Sequence, residues 1–307
     1  MKLTQLRDIA AIAELGSVRA AARHLGLAQP ALTRSVHELE HELGAALFER
    51  HARGVVPTVM GEALVRRAQA ILADVDRARE EAEQLRGGTG GSVVAGLSVA
   101  AHMALLPRAL PRFRARYPDV RLSLVEGFFP AHEPELKTGR MDFWVGPMPE
   151  RGVGKDLVVE KLFDNTRAVV GRTGHPLAGA TSLAELAGAE WVTTSITHRA
   201  AEELGVLFAA HGLPPPRLVM QTRSALSMIM AITCSDALGM LPIQFPDFAV
   251  TSGMLTHIPI REVLPAPTIV MVRRSGLTLT PAAQWFADCC LATIRSAVSP
   301  VEGGGAV

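Results

Sequence analysis

The 307-residue chain contains three cysteines, Cys234, Cys289 and Cys290. The count is odd and two of them are adjacent, which excludes a disulfide framework and a Cys-x-x-Cys zinc knuckle; buried thiols are the expected state. Long apolar runs are also missing. No stretch reaches the roughly 18 apolar residues that a membrane span needs. At the N-terminus, Asp8 and Glu14 break MKLTQLRDIAAIAELG before it can read as a secretion signal. The expected compartment is therefore the cytoplasm, with no membrane partner. An excess of either charge is lacking too: the formal net charge is +1. The whole chain is not a basic nucleic-acid binder, so any such affinity must come from local placement. What remains, 48% hydrophobic and 20% charged residues, is the composition of a folded protein with room for two or three domains.

Three blocks separate by pattern. Up to residue 58 the chain reads as short helices with tight turns. Thr4 is placed to cap a first helix carrying Leu6, Ile9, Ala10 and Ala13 on one face and ending at Gly16. Ser17 is placed to cap a second, ending at Gly26, and Pro30 suits the first turn of a third. Helix, glycine turn and helix outline a DNA-reading unit. Thr58 to Arg86 form one long helix by pattern. Leu64, Ala68, Ile71, Val75, Ala78, Ala82 and Leu85 recur at alternating spacings of four and three, a heptad seam. Such a seam lies either on the chain's own body or on a second copy, and the dimer is the expected partner. Gly87 to Gly91 then cut this helix from an α/β region at 89–300. There VVAGLSV, VRLSLVEG, MDFWVG, DNTRAVVG, EWVTTS, RLVMQT and TIVMVRR read as strands between helical segments, giving an expected α/β domain with largely parallel sheets. Residues 301–307 read as a disordered tail.

Within the third helix, HELEH (His37 to His41) matches the His-Glu-x-x-His pattern of zinc peptidases. On a helical wheel Leu32, Val36, Leu39 and Leu43 form the expected core stripe, within roughly 60° of one another. Arg34 and His41 lie nearly opposite, with Thr33 and His37 on the flanks. A peptidase also needs a third ligand and a cleft that excludes water. No companion motif follows, so no metal site is expected. The same face suits a major groove: Thr33, Arg34 and His37 can reach base edges or phosphates, and Gln29 can pair with adenine. Glu38, Glu40 and Glu42 argue for a merely solvated face, since carboxylates repel phosphate. Arg50 and Arg53 supply a nearby cationic loop.

The run AELGSVRAAARHLGLAQPALTRSVHELEHELGAALFERHARGVVPTVMGEAL closely resembles the DNA-binding half of LysR-type transcriptional regulators. The marks GS…AA..L…QPA…R…LE..LG..LFER..RG…T..G extend over some fifty residues. More loosely, LLPRALPRFRARYPDVRLSLVEG, GHPLAG and SDALGMLP resemble later landmarks of the family, and EGFFPAHEPEL and LPAPTIVMVRR resemble its aromatic-sulfonate-responsive members.

The resemblance implies a multi-domain α/β protein. Its parts are a winged helix-turn-helix at 1–58, a linker and dimerisation helix at 59–88, and a two-lobed domain like periplasmic solute-binding proteins at 89–300. Lobe 1 would cover about 92–163 and 267–300, and lobe 2 about 164–266. The implied function is a DNA-binding regulator, not an enzyme and without a cofactor. It would respond to a small organic anion, aromatic or not, between the lobes, bind operator DNA as a dimer or tetramer, and act with RNA polymerase.

The DNA-binding residues implied are Ser17, Arg19, Gln29, Pro30, Thr33, Arg34, His37, Arg50 and Arg53. Carried onto this sequence, the effector cleft falls at Ser98, Ala100, Ala101 and His102, then Phe128 and Phe129, then Thr194, Ser195 and Thr197. Two helix N-termini with hydroxyls make an anion site, and the two phenylalanines a wall for a ring. Ordinary helix caps and core phenylalanines are the competing explanations.

Two departures from the family stand out. Ala28 occupies the position where many members carry a capping serine, and Pro57 lies where the last wing strand is expected. Redox sensing would need a matched cysteine pair that this chain does not supply. A zinc peptidase, and a solute-binding protein with an incidental helical extension, are the rival functions.

Overall fold

The computed structural model describes residues 1–51, 54–194, 200–222, 224–243 and 253–298. The first three helices are α1 (Leu3–Leu15), α2 (Val18–His24) and α3 (Gln29–Leu43). Their shared core contains Leu6, Ile9, Ile12, Ala21, Leu32, Val36, Leu39 and Leu47. Each fully buried leucine here contributes roughly 1.5–3 kcal/mol. The expected Thr4 cap is not the one used. α1 starts two residues after Met1, and the N–H of Lys2 is taken up by Gln5 Oε1 at 2.8 Å. Its buried face turns toward Gln5, Asp8, Ala11 and Ile12, leaving Ala10 and Ala13 half-buried. Asp8 is tolerated there because Ser35 Oγ donates to its carboxylate. On α3 the stripe stops one turn short of expectation: Leu43 is 41% exposed, because the helix ends at Gly44 and the chain turns away.

A two-stranded wing follows, β1 (Phe48–His51) against β2 (Gly54–Pro57). Pro57 does not abolish the second strand. It pairs opposite Phe48 at the last position of the ladder, where a missing N–H costs least. The strand passes directly into α4 (Val59–Leu85), whose cap is Thr58 Oγ1, accepting from the Gly61 N–H at 3.0 Å. Gly61 is required by close approach: a Cβ there would lie 1.9 Å from the carbonyl oxygen of Leu47.

α4 is a strut between the two halves. Near its start Val65 and Ala68 are buried against the helical core. Near its end Gln84 Oε1 accepts from the Ala282 N–H at 2.9 Å, and Ser92 Oγ donates to Glu80 at 3.0 Å. The heptad seam is therefore divided. Its first part packs on the chain's own body, whereas Ile71, Ala78, Ala82 and Leu85 remain exposed.

In the C-terminal region, β3 (Ser92–Leu97), β4 (Arg121–Glu126) and β5 (Phe143–Pro147) carry α5 (Val99–Arg116) and α6 (Phe129–Thr138). Then come β6 (Leu157–Arg172), β7 (Glu190–Thr194), α7 (Ala200–Ala210), β8 (Arg217–Thr222), α8 (Ala225–Thr233) and β9 (Leu238–Pro242). β10 (Leu255–Ile258), β11 (Leu264–Arg274) and α9 (Pro281–Val298) complete the order. The strands join in the order β4-β3-β5-β11-β6-β9-β7-β8, with β10 beside β6.

The sheet is mixed, not largely parallel. β3, β4 and β5 run parallel, as do β7, β8 and β9, but β6 and β11 are antiparallel to their neighbours. These two long strands pass from one group to the other, so each must run against strands on both sides. Irregular pairing between Ala266 and Val270 of β11 marks the crossing, where Thr268 Oγ1 donates to Asp164 at 2.9 Å. One group packs around α5 and α9 through Phe113, Phe143 and Phe286. The other packs around α7 through Trp191, Phe208 and Leu264.

Candidate functional sites

α3 presents the first site. Buried Leu32, Val36 and Leu39 fix its orientation, leaving Gln29, Pro30, Arg34 and His37 exposed and Thr33 half-exposed. These five residues line one open surface depression. Ala28 provides no side-chain cap, and the helix starts instead with Pro30 in its first turn and the Ala28 carbonyl accepting from Leu32 N–H at 3.2 Å. Two of the three acidic residues of this helix have partners of their own, and the third, Glu38, is exposed. Glu40 accepts the Leu47 N–H at 2.8 Å and faces His37 Nδ1 at 3.1 Å, and Glu42 binds the N-terminal amine at 2.7 Å.

Both histidines of HELEH thus lie on an open, solvated surface, with Leu39 between them buried. His37 is 68% exposed and paired to Glu40 on its own helix. Among the described residues, no group of three or more His, Cys, Asp or Glu side chains could hold a metal ion. Ser17 is the α2 cap, its Oγ accepting from Ala20 N–H at 3.3 Å, and Arg19 is exposed next to it. Arg50 lies in β1 opposite Val55; Arg53 is outside the described residues.

The second site lies where the two strand groups meet. Ser98 follows β3 and caps α5; it is buried, its N–H donating to Val145 O at 2.8 Å and its Oγ accepting from Ala101 N–H at 3.3 Å. The hydroxyl proton donates to no described residue. His102 closes back on the Ser98 carbonyl, with Nδ1 3.1 Å away. Ala100 and Ala101 point into the α5–α9 core, so only their backbone could meet a ligand.

Phe128, at the start of α6, is half-buried. Phe129 is a core residue, packed edge-on against Trp144 with ring centroids 5.5 Å apart, which leaves Phe128 alone as a wall. That loop is braced by Trp144 Nε1, donating to Gly127 O at 3.1 Å. Thr194 is half-buried at the end of β7, paired with Thr222. Ser195 and Thr197 are outside the described residues.

Sequence reading missed two features here. Val99 and Met103 of α5 pack against Val170, Val192, Met228 and Leu241, so α5 reaches across from one strand group to the other. Nothing in a run of small apolar residues announces which lobe they touch. The second is Arg167 in β6, half-buried and close to Glu203, for which DNTRAVVG gave no sign beyond one arginine inside a strand. Burial is the main influence on Arg167 and lowers its pKa; the charge of Glu203 opposes it. The two helix ends also differ. α5 has no acidic residue in its first turn, whereas α7 carries Glu202 and Glu203.

A winged helix-turn-helix joined by a single strut to a two-lobed α/β sensor defines a class: DNA-binding regulators that carry their own ligand-sensing domain. Comparison with known proteins names the family. Residues 3–62 match the bacterial regulatory helix-turn-helix protein, lysR family, and residues 86–295 match the LysR substrate binding domain. The chain belongs to the LysR family of transcriptional regulators, which are not enzymes.

Among its relatives, the SDS degradation transcriptional activation protein of a Pseudomonas species is 31% identical over 92% of this chain and 93% of its own length. The HTH-type transcriptional regulator GbpR of Azospirillum brasilense is 27% identical over 85% of this chain and 78% of its own. Full-length CbnR complexed with its target DNA shares the fold, with a TM-score of 0.68 at 21% identity, covering 95% of this chain and 100% of that one. The helix-turn-helix is therefore no incidental extension of a solute-binding protein. The peptidase reading of HELEH is set aside with it.

Proposed function

We propose that α3 of each protomer enters the major groove of operator DNA. Gln29, Thr33, Arg34 and His37 face the base edges, and Arg19, Arg50 and Arg53 face phosphates. Ser17 and Pro30 act through the backbone, by starting the two helices. The observation that carries this reading is the exposed Gln29–His37 cluster on a helix whose Glu40 and Glu42 are held by the Leu47 N–H, His37 and the N-terminal amine. Dimers pair along the exposed part of the α4 seam and associate further into tetramers in the cytoplasm, where RNA polymerase is the downstream partner.

The effector is a small organic anion with an apolar, ring-sized body, held between the lobes by Ser98, His102, Phe128 and Thr194. An aromatic sulfonate is the first compound to test, on the strength of EGFFPAHEPEL and LPAPTIVMVRR. Binding shifts the lobes and, through α4, the spacing of the paired recognition helices.

A gel shift on the DNA upstream of the chain's own gene tests the first part. Wild type should retard the fragment and Arg34→Ala should not; equal retardation by both refutes the placement of α3. Calorimetry tests the second part: Ser98→Ala and Thr194→Val should weaken effector binding while operator affinity is kept.

A further inference from the structure

β6 enters the second strand group just after Asp164, and Arg167 is in its first turn of pairing there, opposite Pro242 of β9 on one side and Leu264 of β11 on the other. β7 and β9 both run toward this edge and end at Thr194 and Pro242. Arg167 therefore lies on the rim of its lobe that faces the other lobe. Strand alternation puts its side chain on the face of Val169, which is buried beneath α7 with Trp191 and Phe208.

The guanidinium is half-buried, yet it donates no hydrogen bond to any described residue. Its neighbouring charge is Glu203, in the first turn of α7. Five N–H donors partly withdrawn from water without acceptors are costly, and folded proteins rarely leave them so. The expense is explained if the acceptors come from a bound molecule. A planar guanidinium selects carboxylate or sulfonate oxygens, which it can meet two at a time.

We infer that Arg167 is the anchor for the anionic group of the effector, and that Glu203 is the counter-charge this group competes with. The inference rests on the proposed cleft and adds to it the residue that selects for charge. Ser98 and Phe128 then orient the rest of the molecule from the opposite lobe.

Titration of the full chain with benzoate and with benzenesulfonate, followed by calorimetry and by thermal unfolding against chloride at matched ionic strength, tests this. At least one probe should stabilise wild type saturably. Arg167→Met should weaken that binding about tenfold or more, in line with the loss of charge-assisted hydrogen bonds; Arg167→Lys should recover part of it, and Glu203→Gln should tighten it. Without a probe, Arg167→Met should unfold at or above the wild-type temperature, since it removes an unsatisfied cation. A large loss of stability would instead make Arg167 a structural residue and overturn the inference. Unchanged binding in Arg167→Met, with binding lost in Ser98→Ala, overturns the anchor and leaves the cleft standing. If neither probe stabilises wild type, both the cleft chemistry and the anchor fall.

Discussion

Arg77 Nε lies 3.2 Å from Asp142 Oδ1, and both side chains are almost wholly buried where α4 meets the sensor domain. The other oxygen of Asp142 accepts the Val94 N–H at 2.8 Å. Arg77 also donates to Gly139 O at the end of α6, and Arg274 reaches Asp74 of α4 at 2.5 Å. Asp142 thus ties the linker helix to the strand that, four residues later, carries Ser98. Gly139, at φ +73°, leaves the space: a Cβ there would lie 2.8 Å from Arg77.

Burial pushes the Asp142 carboxyl above its ordinary value of 3.8, against the opposing pull of the Val94 N–H and Arg77. Removing Arg77 leaves that carboxylate buried without a cation. Arg77→Met should therefore cost about 3–5 kcal/mol. Asp142→Asn should cost less, because it removes the group that burial already penalises and Asp74 remains 3.6 Å from Arg77. Denaturation followed by tryptophan fluorescence checks the order, since Trp144, Trp191 and Trp285 all lie in this domain. The reverse order would contradict the account of the pair.

Arg34 and His37 are exposed and support nothing in the core. Arg34→Ala and His37→Ala should each weaken operator binding by about 1–3 kcal/mol while leaving the melting temperature within a degree or so. Ser17→Ala should do the opposite: it removes a helix cap, costs roughly 1 kcal/mol of stability, and leaves the contacting side chains intact. Parallel melts and gel shifts separate the two patterns.

Ala28 leaves α3 uncapped by a side chain although its backbone, at φ −71° and ψ 133°, has the extended form a cap needs. Ala28→Ser should stabilise the N-terminal domain by about 1 kcal/mol, visible as a higher urea midpoint. No gain would mean that Pro30 and the helical core already hold that end fully.

Cys234 is exposed, whereas Cys289 and Cys290 are buried. A thiol reagent should label one cysteine in the native chain and all three after unfolding. Burial pushes the Cys290 thiol from 9.0 up to about 12, so in alkali the unfolded chain ionises first. The contribution of Cys290 to stability is complete below pH 9 and is lost as pH rises toward 12, on the order of 1.4 kcal/mol per unit. Cys290→Ala should flatten that alkaline decline; an unchanged decline would assign it to other groups.

The DNA-reading half was largely legible in the sequence because its signals are local. A helix stripe, Ser17 before a helix, Gly16 and Gly44 after one, and Pro30 in a first turn act within a few residues of themselves. The errors there were local competitions. Gln5 holds the Lys2 N–H, so the helix starts before Thr4, and Gly44 turns the chain before Leu43 can be covered. The cleft was only partly legible. Ser98 could be named as a cap, but whether Phe128 or Phe129 faces outward depends on where Trp144 lies, fifteen and more residues away.

Local pattern alone determined the first three helices, the polar side of α3, the length of the strut and the strands β3 to β8 and β11, since each follows from the period of apolar residues along one segment; β1, β2, β9 and β10 were not read from it. Tertiary structure decided which charges meet. Arg77 and Asp142 are 65 residues apart, and Arg167 comes near Glu203 only after β6 and α7 pack together. Periodicity carries no record of such pairings, because burial and attraction between side chains depend on distances that exist only once the chain has folded.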